Sequence, residues 1–81
     1  MEHTAEWDIR MFLFQHDTYS TVRVVLDTGA NTLTGIGHAG EFRDGRMPPE
    51  IDTELAAARA LKDLADHLML VSATDAAPPP R

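Results

Sequence analysis

The stretch PPEIDTELAAARALKDLADHLMLV, Pro48 to Val71, is the part of the chain around which the rest must be arranged. Its apolar residues Ile51, Leu55, Ala58, Leu61, Leu64, Ala65, Leu68 and Met69 recur at spacings of three and four. That period lays one stripe along an α-helix and predicts a core-facing side. Asp52, Thr53, Glu54, Arg59, Lys62, Asp63, Asp66 and His67 fall mostly on the other side. Pro48 and Pro49 oppose backward growth of the helix, and Asp52 or Thr53 can cap its first turn. Glu50, Asp52 and Glu54 place negative charge at the positive end of the helix dipole. Ala56, Ala57, Ala58 and Ala60 make a thin shoulder on which a sheet can approach closely.

The residues before the helix supply that sheet. From Glu6 to Phe14 the chain alternates, with Trp7, Ile9, Met11 and Leu13 on one face and Asp8 and Arg10 on the other. A half-buried strand has this period. His16-Asp17-Thr18 reads as a turn, and Val22, Val24 and Leu26 then alternate as a second strand, paired antiparallel to the first. Asp27 to Asn31 is a second turn, in which Gly29 and Asn31 can take positive φ. On a third strand, Thr32 to Ala39, one face carries Leu33, Gly35, Gly37 and Ala39, small enough to lie beneath the alanine shoulder. The expected fold is α+β, a β-β-β-α chain in which a three-stranded antiparallel meander is covered on one face by one long C-terminal helix. The expected core is Trp7, Ile9, Met11, Leu13, Val22, Val24, Leu26, Leu33, Leu55, Ala58, Leu61, Leu64, Ala65 and Leu68. The other face is left open, with Phe12, Phe14, Val25 and Ile36 beside Arg10, Arg23 and His38.

Eighty-one residues make one domain, and at such a size only about 60% of the unfolded surface is buried. With 1–5 as a disordered lead, 6–72 as the domain and 73–81 as an Ala/Pro-rich flexible tail, a partner subunit is expected to help. The chain has no Cys, which excludes disulfides and thiolate metal sites and fits a reducing compartment. No signal peptide or membrane-length apolar segment is present, so the expected location is cytoplasmic. Seven Lys and Arg against thirteen Asp and Glu leave a net charge of -6. Such a chain repels phosphate backbones except at a local basic patch.

Few residues suggest catalysis. Gly35-Ile-Gly-His-Ala-Gly40 satisfies the dinucleotide pattern G-x-G-x-x-G, but Glu41-Phe-Arg-Asp-Gly-Arg46 follows it where a helix should begin. The glycines instead indicate close packing under the helix. His3, His16, His38 and His67 have no metal-ligand spacing, and Asp63, Asp66 and His67 read as a solvated helix face. Ser20, Ser72 and Tyr19 lack an activating context. The reading is therefore no enzyme, no cofactor and no metal. Phe12 and Phe14 resemble the stacking pair of sheet proteins that hold single-stranded RNA. With only Arg10 and Arg23 as cations on that face, subunit contact through Phe12, Phe14, Val25 and Ile36 is favoured over base stacking. Any RNA or ribosome contact would rest on Arg10, Arg23, Arg43 and Arg46; the alternative is that these four balance nearby carboxylates.

Leu33-Thr-Gly-Ile-Gly-His-Ala39, together with Pro49-Glu-Ile-Asp-Thr-Glu-Leu-Ala-Ala-Ala-Arg-Ala-Leu-Lys-Asp-Leu-Ala65, resembles a small actinobacterial domain-of-unknown-function family. Its fold is described as like that of double-stranded-RNA-binding domains, and the likeness runs from residue 6 to about 72 and includes Trp7. The resemblance implies a homodimer of β-β-β-α subunits, compared in shape with ribosome hibernation-promoting factors of stressed or dormant cells. Gly40 and Glu41 stand where the family often has basic residues, which weakens an RNA contact. Asp52 and Thr53 replace a Gly-Asp at the helix start. Three functions follow as expectations: a stress or dormancy protein docking on the ribosome or structured RNA, a protein-protein adaptor, and, behind them, an enzyme or small-ligand binder.

Overall fold

The computed structural model describes residues 2–40 and 49–76, with helix side chains described over 52–75. Three strands, β1 (Asp8–Gln15), β2 (Ser20–Asp27) and β3 (Thr32–Ala39), precede one helix, α1 (Pro49–Ala76). The strands form an antiparallel meander in the order β1-β2-β3. In its register Ile9, Met11 and Leu13 lie opposite Leu26, Val24 and Val22, which in turn oppose Leu33, Gly35 and Gly37. The expected β-β-β-α fold and the facing of all three strands are thus observed.

Both hairpin turns are closed by local hydrogen bonds. His16 N donates to the Tyr19 carbonyl at 2.8 Å, and the two rings stack with centroids 4.2 Å apart. In the second turn Gly29 takes φ 88 and donates its N–H to Asp27 Oδ1 at 2.8 Å. The side chain of Asp27 thereby mimics a backbone turn. Asn31 has no positive φ; among the described residues only Gly29 and Gly40 do.

The helix differs from expectation at both ends. It starts at Pro49, in the first helical position, where the missing N–H costs nothing. Asp52 and Thr53 therefore lie inside the helix instead of capping it. Thr53 Oγ1 accepts from Gln15 Nε2 at 2.9 Å and shares a hydrogen bond with the buried Ser20 Oγ at 3.2 Å. This knot ties the start of α1 to the β1–β2 hairpin. At the other end residues 73–76 continue the helix, where the sequence suggests the beginning of the tail. Its 28 residues span ~42 Å at 1.5 Å each, whereas eight-residue strands span about 27 Å. Met69 and Leu70, 71% and 66% exposed, lie on the outward face of the helix between the half-buried Leu68 and Val71.

The core is smaller than expected and lies off-centre. Val22, Val24, Leu26, Ala39, Ala56, Ala60 and Leu64 are buried, with Leu33, Leu55, Ala57 and Leu68 packed at their margin. The helix rests on β3 and β2 and barely touches β1. Trp7, Ile9, Met11 and Leu13, expected inside, are exposed, as are Ala58, Leu61 and Ala65 on the helix. The cause is the pair Gly35 and Gly37. With no side chains there, the helix settles onto that groove along its thinnest row, Ala56, Ala60 and Leu64, four residues apart. A Leu61-centred register would hold the helix too far from the sheet.

Candidate interaction surfaces

Three surfaces outside this core carry organised side chains. The first is the outer sheet face. Phe12 lies directly opposite Arg23, and Arg23 opposite Ile36. The Arg23 guanidinium sits 5.1 Å from the centre of the Phe12 ring, a cation–π distance. Arg10 faces Val25, so it is the diagonal neighbour of Arg23, and pairing brings these two cations onto one patch. Phe12, Phe14 and Ile36 are exposed and Val25 is half-buried. At one margin Thr21 Oγ1 and His38 Nδ1 are hydrogen-bonded at 3.0 Å. Arg43 and Arg46 lie outside the described residues.

The second surface is the free edge of β3. Helix residues Arg59, Asp63 and His67, four apart, reach down to it. Arg59 donates to the His38 carbonyl at 2.8 Å, Asp63 Oδ2 accepts the Ile36 N–H at 2.9 Å, and His67 Nδ1 donates to the Thr34 carbonyl at 2.7 Å. The order donor, acceptor, donor matches the exposed acceptor, donor, acceptor of the strand. These bonds occupy the polar edge that would otherwise template another strand. Asp63 and His67 therefore do not form merely a solvated face, and Arg59 braces β3. The spacing four-by-four beside the alanine row was the available signal; recognising it required the helix register. Among the described residues, no three His, Asp or Glu side chains are grouped to hold a metal ion.

The third surface is the inner side of β1. Ile9, Met11 and Leu13 are 57%, 40% and 52% exposed although they point to the helix side. On the helix, Ala57, Leu61 and Leu68 occupy by rotation the flank opposite Arg59 and Asp63, the flank turned toward β1. An apolar trough is left between them. At its far end a cleft of about 450 Å³ is lined by Trp7, Leu33, Leu68, Val71, Thr28, Asn31, Ser72 and Asp75. No described helix is long and apolar enough to cross a membrane.

The fold and these surfaces can be set beside known proteins. The crystal structure of Rv2632c superposes with a TM-score of 0.82 over 98% of this chain and 100% of that one, at 27% identity. Uncharacterized protein Mb1767 of Mycobacterium bovis is 32% identical over 69 residues, which are 85% of this chain and 73% of the relative. Uncharacterized protein MT1780 of Mycobacterium tuberculosis matches to the same extent. The family described as Rv2632c-like matches residues 5–78. With that span, this architecture and mycobacterial relatives of uncharacterised function, the chain belongs to the Rv2632c-like family.

Proposed function

We propose that the protein is a non-enzymatic binding module that engages structured RNA, the ribosome included, through the outer face of its sheet. The observation that carries this reading is the stacked pair Arg23–Phe12 with Arg10 at its diagonal, on a face that no described element covers. Aromatic rings accept unpaired bases and guanidinium groups accept phosphate, and the two are interleaved here. Asp8 and Asp27 face each other at one end of the same sheet face, so the two arginines leave it without net positive charge and the reading rests on the local patch of Arg10, Arg23 and Phe12. With a net charge of -6, contact with RNA would be confined to this patch and weaken steeply with salt. The family resemblance, which implies a shape comparable with hibernation-promoting factors, is what suggests a setting in stressed or dormant cells. Co-sedimentation with ribosomal particles over a salt series tests the reading. The double variant Phe12→Ala/Arg23→Ala should bind about tenfold or more weakly, and its salt slope should fall by about one phosphate contact. A wild-type protein that stays in the supernatant at low salt would instead favour the protein-protein adaptor.

The inner side of β1 supports a second element of the reading, a homodimer. Both faces of β1 are exposed along all eight residues, and among the described residues its edge has no counterpart of the Arg59, Asp63 and His67 clamp. A second copy that covers Ile9, Met11, Leu13 and Leu61 completes the half-built core, and isologous contact of this kind is the commonest assembly. It also relieves Phe12, Phe14, Val25 and Ile36 of the dimer role that their sequence pattern suggests and frees them for a nucleic acid. In sedimentation equilibrium the wild-type protein should run as a dimer at micromolar concentration. Met11→Asp should run at the 8.9 kDa of one chain with its circular dichroism retained. A wild-type monomer, or a Met11→Asp dimer, would exclude this interface.

A further inference from the structure

We propose that the cleft at the C-terminal end of the helix binds an aliphatic ammonium group, independently of the sheet face. Its walls fall into two chemical parts. Leu33, Leu68 and Val71 form an apolar floor beside the Trp7 indole, and Asp75 and Ser72 form a polar rim with Thr28 and Asn31. A neutral hydrocarbon would leave the Asp75 carboxylate unused, and an anion would be repelled by it. A cation with an apolar body satisfies both parts: the alkyl chain lies on the leucines, and the ammonium head meets the indole face and the carboxylate.

The helix adds to this preference. Its last described turn holds Asp75 and no basic residue, so the negative end of the helix dipole and the carboxylate have the same sign. Lys, Arg or His near a helix C-terminus interacts favourably with the dipole; among the described residues of the last turn there is none. A volume of about 450 Å³ lies in the range of small-molecule sites and admits a short alkylamine.

Trp7 is the only tryptophan of the chain, so its fluorescence reports this cleft alone. Titration of the full-length protein with hexylammonium chloride should change that emission saturably, and hexanol should bind at least tenfold more weakly. Asp75→Asn should weaken hexylammonium by about tenfold while leaving hexanol binding unchanged and the fold intact, with a melting temperature equal to or above that of the wild type. An Nα-acetyl-lysine amide titrated in parallel distinguishes sources: tighter binding than the free amine assigns the site to a partner's lysine, weaker binding to a free amine. Equal affinities for hexylammonium and hexanol, no saturable response to the amine in fluorescence or calorimetry, or an Asp75→Asn variant that binds as the wild type would each overturn the proposal.

Discussion

Gly37→Val should leave the protein with little or no cooperative unfolding transition in urea, and Gly37→Ala should lower its midpoint severely. A Cβ at Gly37 would fall on the Ala56 carbonyl oxygen and the Ala60 nitrogen, and would stand 2.8 Å from the Arg59 carbonyl carbon. These are backbone atoms of a regular helix. They cannot turn aside as a flexible side chain can, so the whole helix must lift. Gly35 is under the same constraint, since its Cβ would meet the Ala60 carbonyl oxygen and come 2.5 Å from the Leu64 nitrogen. Overpacking in a close-packed interior typically costs 1–3 kcal/mol, and a helix displaced along its length places this case at ~3 kcal/mol or more. The total stability of a chain this short is only about 4–12 kcal/mol. A Gly37→Ala protein with an unchanged urea midpoint would mean that the helix does not rest on this groove.

The second large effect separates two leucines three residues apart. Leu64 is 5% exposed and Leu61 is 43% exposed. Leu64→Ala should therefore cost ~2–5 kcal/mol, the range for emptying a packed leucine site. Leu61→Ala should cost under ~1 kcal/mol at concentrations where the protein is monomeric. The helical stripe read from the sequence ranks Leu61 with Leu64, so the pair tests the register itself. Denaturant midpoints measured by circular dichroism decide it: equal losses at both positions would restore the Leu61-centred stripe. A Leu61→Ala penalty that grows with protein concentration would instead report burial of Leu61 in the dimer.

The open sheet face was legible before the structure because strand alternation has a period of two. Once Val22, Val24 and Leu26 were assigned inward, Phe12, Arg23 and Ile36 had to point outward. The register then added what alternation lacks, the stacking of Arg23 on Phe12. The clamp of Arg59, Asp63 and His67 on β3 was not legible. Its three side chains look like any charged helix flank until the strand beneath them is known, because their partners are main-chain groups that carry no sequence signal.

By itself the sequence determined the element order, the strand facings and the seat of the helix over Gly35 and Gly37. Each of these follows from local periodicity or from side-chain size. Only the tertiary structure decided which row of the helix faces the sheet and how far across the sheet it lies. An apolar stripe broad enough to include Leu61, Leu64 and Ala60 allows several rotations, and the choice among them depends on how closely two backbones can approach. The glycines select the alanine row and draw the helix toward β3, so β1 is left with Ile9, Met11 and Leu13 uncovered. Alternating hydrophobicity marks these residues as a face to be buried, but it carries no information on whether this chain's own helix is wide enough to bury it.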